Sequence, residues 1–177
     1  MKPGEPMTND GTKDAQTVSP DGRMLHDLIE GVRVHEMSNI ITRNGVTTEI
    51  VRPEWDIGRL AIQHMIHVSL HAHAISAWHC HHLQTDRIFV TEGTLRVVLF
   101  DDREGSSTRG KVNVLHLSRM RPSTLLIPPF VWHGIQNIEN RTSGFINFFD
   151  YAYCYENPDE WRLPADTDAI PYRFSRN

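Results

Sequence analysis

Imidazole is the side chain that changes charge nearest neutral pH, so it serves as base, acid or metal ligand. This 177-residue chain carries eleven of them, unevenly placed. Three fall in the run Trp78-His79-Cys80-His81-His82, with Asp86 close behind, and His133 sits between Trp132 and Gly134. Along an extended segment side chains repeat every second residue. His79 and His81 therefore share a face, while His82, Trp78 and Trp132 point away from their histidine neighbours. Two imidazoles on one face can move a substrate proton or begin a metal site. Cys80 reads as a small buried thiol, and the two tryptophans as packing behind the site.

The elements that must position these groups read as strands. Leu60, Ile62, Ile66, Val68 and Leu70 alternate with Gln63, Met65, His67, Ser69, His71 and His73, the period of two that marks a strand. The histidine-bearing face can line a polar cavity or lie at a subunit contact. Further short strands are predicted over 87–92, 94–100, 111–117, 123–127, 131–137 and 144–149, and a hairpin over 40–52 around Asn44-Gly45. Short strands at regular spacing favour a sandwich or barrel over alternating helices and strands. Residues 1–22 are polar and read as a mobile tail or an arm ordered by a partner. The predicted single domain spans 23–177, ending in an extension with an acidic helical turn at 158–161.

Two stretches together resemble the cupin motifs HxH…E…G and PxGxxHxxxN. The first is His79-Cys80-His81 with Asp86 and Gly93. The second is Pro128-Pro129-Phe130-Val131-Trp132-His133 with Asn137. The resemblance implies an all-β fold, the cupin double-stranded β-helix or jelly-roll barrel. It departs at Asp86, where metal-binding cupins carry Glu, and at Phe130, where the motif has Gly. If a returning strand brings His133 beside the first pair, then His79, His81, Asp86 and His133 would hold a divalent ion such as Zn, Fe, Mn or Ni.

A narrower resemblance runs through the chain from about residue 43 to 174. The loop Asp101-Asp102-Arg103-Glu104-Gly105-Ser106-Ser107-Thr108-Arg109-Gly110 is similar to the D-x-R-x-x-S-x-T-x-G loop of dTDP-4-dehydrorhamnose 3,5-epimerases. The segment 127–134 looks like their IPxGxxHG element. This resemblance implies a nucleotide-sugar epimerase or isomerase working without a cofactor, with His79 as the base beside a 4-keto group and Asp166 as its partner. His133, Arg87 and Arg103 would bind substrate. The family's acid Tyr falls near Phe148 or Phe149, leaving Tyr151 or Tyr153 as the expected acid. Its Arg and Lys positions hold Ser76 and Asp86, which removes two cations. A single-site epimerisation or a different sugar is the expectation. Two rivals stay open: a metal-dependent cupin acting as oxygenase, isomerase or sensor, and a non-catalytic sugar-binding cupin.

Bulk properties narrow the classes further. Net charge is −4 with no basic stripe, which argues against nucleic acid as a partner. No apolar run approaches the roughly 20 residues of a membrane span, and residues 1–23 lack a basic-then-apolar leader. Two cysteines are too few for a disulfide framework. The expected location is the cytoplasm, and the resemblance implies a homodimer paired through the N-terminal region.

Overall fold

The computed structural model describes residues 12–59 and 61–175. The predicted tail therefore lies outside the described residues over 1–11, as does Leu60. Residues 12–22 are almost wholly exposed and close on a bridge between Val18 and Met24.

Among the described residues twelve strands form: β1 Arg33–Glu36, β2 Ile40–Thr42, β3 Gly45–Thr47, β4 His64–Leu70, β5 Ile75–Cys80, β6 Asp86–Glu92, β7 Thr94–Asp101, β8 Val112–Ser118, β9 Ser123–Ile127, β10 Val131–Asn137, β11 Ser143–Phe149 and β12 Trp161–Arg162. One antiparallel sheet runs β1-β9-β6-β11-β4, and the other runs β12-β5-β10-β7-β8. Their inner faces enclose Ile88, Val90, Leu95, Val97, Leu99, Leu125 and Ile127, each at most 2 % exposed. This is the all-β cupin barrel expected. The β2–β3 hairpin stands apart as its own small sheet, its two-residue turn at Arg43-Asn44 lying one residue earlier than predicted.

The alternation in β4 is as read, but its outcome is one-sided. Ile66 and Val68 face the barrel interior, while Met65 and His67 are exposed on the outside. His71 is exposed and His73 half-buried in the turn that follows, and none of these three histidines lines the cavity.

Two further corrections concern the chain's end. Residues 158–161 form no helical turn; Trp161 and Arg162 instead pair with Cys80 and His79 at the edge of the second sheet. The segment beyond packs on that sheet's outer face. There Trp78, fully buried, meets Val98, Phe100 and Ile170, with Tyr172 and Phe174 against it. This is the packing role predicted for Trp78, and Trp132 joins the same cluster. Gly134 permits the close approach: a Cβ there would lie 2.6 Å from the Ala77 methyl and 2.7 Å from the Phe174 ring.

Candidate active site

The cavity lies at one end of the barrel and is small, about 160 Å3, below the usual range of sites that enclose a drug-sized ligand. Strand pairing builds one wall. β5 and β10 place His79 opposite His133, with near-parallel rings whose centroids are 5.7 Å apart. His81 follows the end of β5. Asp86 opens β6 and turns inward, 1 % exposed. The far wall is apolar apart from Asn147: Ile66 and Val68 from β4, Phe145 and Phe149 from β11.

The C-terminal segment completes the site. Asp159 accepts the backbone N–H groups of His82, Leu83 and Gln84, pinning the turn after β5. That anchor brings Glu160 and Arg162 into the cavity. Glu160 Oε2 lies 3.6 Å from His79 Nδ1, while Ser76 Oγ is 2.9 Å and Arg162 Nη1 3.5 Å from Nε2. A carboxylate only accepts, so Glu160 favours the tautomer with the proton on Nδ1, in which Nε2 accepts from the Ser76 hydroxyl. Burial lowers the pKa of His79, partly offset by the Glu160 carboxylate, with His133 and Arg162 lowering it further. The ring is thus neutral near pH 7 and competent as a base.

His133 and Asp86 form the second polar corner. His133 Nε2 is 3.1 Å and His81 Nε2 3.5 Å from Asp86 Oδ2. Burial opposes both charges, but each group stabilises the other: His133 is raised and Asp86 lowered from their ordinary values.

Several expected residues lie elsewhere. Arg87 is fully buried, its guanidinium 5.9 Å from the Phe148 ring centroid; it alternates with Asp86 along β6 and points out of the barrel. Arg103 binds Asp101 through two nitrogens and the Glu30 carbonyl through one, so its loop partners occupy the side chain expected to bind substrate. Tyr151 and Tyr153 lie beyond β11, about two-fifths exposed and outside the cavity lining. Asp166 is exposed, and its carbonyl accepts from Arg173; Glu160 takes the place expected of it beside His79. Of the four expected ligands, His81, Asp86 and His133 converge, with donor atoms all within 4.8 Å of one another.

Glu160 and Arg162 were missed in the sequence. Their spacing of two residues is a strand signal, hidden by reading 158–161 as helical. Phe130 keeps the backbone of the Gly it replaces, at φ 64°. Its ring stacks on His82, which stacks in turn on Trp161, both at 4.5 Å.

A two-sheet barrel with a histidine, a glutamate and an arginine converging in its polar end places the chain among the cupin-type enzymes. The dTDP-4-dehydrorhamnose 3,5-epimerase family model matches residues 29–171, and the chain belongs to that family. It is 31% identical over 139 residues to a probable low-salt glycan biosynthesis epimerase, Agl13, of Haloferax volcanii, covering 78% of this chain and 89% of that one. It is 30% identical over 151 residues to the spore coat polysaccharide biosynthesis protein SpsL of Bacillus subtilis, covering 84% and 97%. Among solved structures it resembles a dTDP sugar isomerase from Desulfovibrio desulfuricans, with a TM-score of 0.73 and 26% identity, covering 81% of this chain and 90% of that one. The chain is therefore a nucleotide-sugar epimerase-like enzyme.

Proposed function

We propose that this enzyme epimerises a single carbon beside the keto group of a dTDP-4-keto sugar, with His79 as base. The observation that carries the reading is the His79 ring in the cavity wall, with Glu160 3.6 Å from Nδ1 and with Nε2 held by the Ser76 hydroxyl at 2.9 Å, a contact that substrate must displace. A cavity of about 160 Å3 has room for little more than the sugar ring, which leaves the nucleotide at the mouth. His79 Nε2 takes the proton from the carbon next to the carbonyl, and Glu160 stabilises the imidazolium that forms. Arg162, beside Nε2, supplies positive charge for the developing enolate, and the His133–Asp86 pair forms the polar corner next to the sugar. The far wall offers Phe145 and Phe149 where an inverting enzyme needs an acid. Water entering by the mouth is then the proton donor on that face.

The names of the two relatives above support a place in glycan or polysaccharide assembly. Cys80 and Cys154 are free thiols, which supports a reducing compartment such as the cytoplasm. The exposed Ile40, Ile41 and Val46 of the β2–β3 hairpin support pairing of two copies through the N-terminal region. The test of the activity is NMR of a dTDP-4-keto-6-deoxyhexose in D2O. The native enzyme is expected to place deuterium at one ring carbon beside the keto group. No incorporation at either neighbouring carbon would overturn the proposal.

A further inference from the structure

Beside the His79–Glu160 pair, the cavity holds a second cluster whose hydrogen bonds leave it one cation short. His81 Nδ1 lies 2.6 Å from the carbonyl oxygen of Asp159, and His133 Nδ1 lies 3.2 Å from that of Val131. A carbonyl only accepts, so each Nδ1 carries a proton, and Nε2 is the atom each ring can offer to a metal. Both Nε2 atoms face the same atom, Asp86 Oδ2, at 3.5 Å and 3.1 Å. The other carboxylate oxygen is occupied by the Gln84 amide at 2.8 Å. Oδ2 receives no hydrogen bond of good geometry, although Asp86 is 1 % exposed. Three potential ligand atoms thus converge in a buried place, where a carboxylate needs either a proton shared with an imidazole or a metal cation among them.

We propose that His81, Asp86 and His133 bind a divalent transition-metal ion, leaving His79 outside the ligand set as the base. Their donor atoms already lie within 4.8 Å of one another, so small inward shifts reach the usual bond lengths of about 2.0–2.2 Å. Two imidazoles and a carboxylate suit Zn, Mn, Fe or Ni better than Ca or Mg. Each imidazole donates its other ring N–H to a backbone carbonyl, the support that metal-bound histidines commonly have. Three protein ligands leave a position open toward the cavity, as in catalytic rather than structural sites. The role of such an ion rests on the epimerase reading: it would supply, at the keto oxygen, positive charge that Ser76 and Asp86 do not. The competing occupant is a proton shared between Asp86 and an imidazole.

The test is elemental analysis of protein purified without chelator. It is followed by titration of the stripped protein with Zn2+ and Co2+, read by the visible Co2+ absorption and by thermal unfolding. Near one ion per chain is expected, with a Co2+ band and a Zn2+-dependent rise in Tm. Asp86→Asn and His81→Gln should each weaken uptake more than about 100-fold, beyond the effect of losing a ligand's outer support. His79→Gln should retain one ion. Failure of the stripped native protein to take up either ion overturns the proposal and leaves the proton as occupant; so does equal uptake by Asp86→Asn. The native titration decides the matter even where a variant fails to fold. Uptake without deuterium exchange into a dTDP-4-keto sugar would sink the epimerase reading alone, and exchange without uptake would sink the metal alone.

Discussion

A histidine becomes a base through the partner that fixes its proton, and here that partner comes from an unexpected quarter. Glu160 rather than Asp166 stands at His79 Nδ1, so Glu160→Gln should lower kcat by about 10–100-fold with little change in KM. Asp166→Asn should leave both nearly unchanged. Phe149 raises a sharper question of mechanism, since it lines the wall from which an inverting enzyme returns its proton. Without an acid there, exchange of the substrate hydrogen should outpace inversion of the carbon. Phe149→Tyr places a phenol on that wall, and the ratio of inverted product to deuterium exchange, read by NMR, should rise. An unchanged ratio would argue that water delivers the proton regardless of the wall.

At the scale of elements, the loop between β7 and β8 carries a motif whose residues gather around one buried carboxylate. The residues that resemble the family loop surround Asp101: Arg103, Ser106 and Thr108 all donate to its carboxylate. Burial alone would raise the pKa of Asp101, but these donors hold it far below the ordinary carboxylate range. The charged form is therefore favoured by folding. Its stabilisation is complete above the unfolded aspartate pKa of about 3.9 and drains away as pH falls toward the folded value. Asp101→Asn should cost about 2–3 kcal/mol at neutral pH. The gap to the native protein should narrow in acid, as denaturant melts at pH 7 and pH 3 will show.

Strand periodicity was readable because it depends on neighbours two residues apart. Hence β4 and β6 through β11 could be seen in the sequence, while the meeting of His79 with His133 depended on which strands pair, which periodicity does not fix. Glu160 could not be read in the same way. It reaches His79 from 81 positions along the chain, carried by an irregular segment whose anchor is the grip of Asp159 on the turn after β5. Arg87 shows the limit of residue type as a signal: its single step along β6 from Asp86 turns it out of the barrel, where Phe148 packs beside it.

At the scale of the whole molecule, one barrel divides into an apolar end that holds the fold and a polar end that holds the chemistry. The C-terminal segment joins them, adding β12 to the sheet edge and then laying Tyr172 and Phe174 over Trp78 on the outside. The β2–β3 hairpin is the part left unsupported, with Ile41 82% and Val46 62% exposed. Pairing of two copies there predicts a dimer by light scattering, and Ile41→Glu with Val46→Glu should shift it toward monomer without unfolding the barrel. A native monomer would remove this reading.

In the proposed reaction His79, beside Glu160, removes a proton from a carbon next to the keto group. The most direct measurement is solvent deuterium incorporation into a dTDP-4-keto-6-deoxyhexose by native protein and by His79→Asn. The account predicts incorporation at one carbon by the native enzyme and a loss of about 10²–10⁴-fold in the variant. Undiminished incorporation by His79→Asn would contradict it and move the base elsewhere in the cavity.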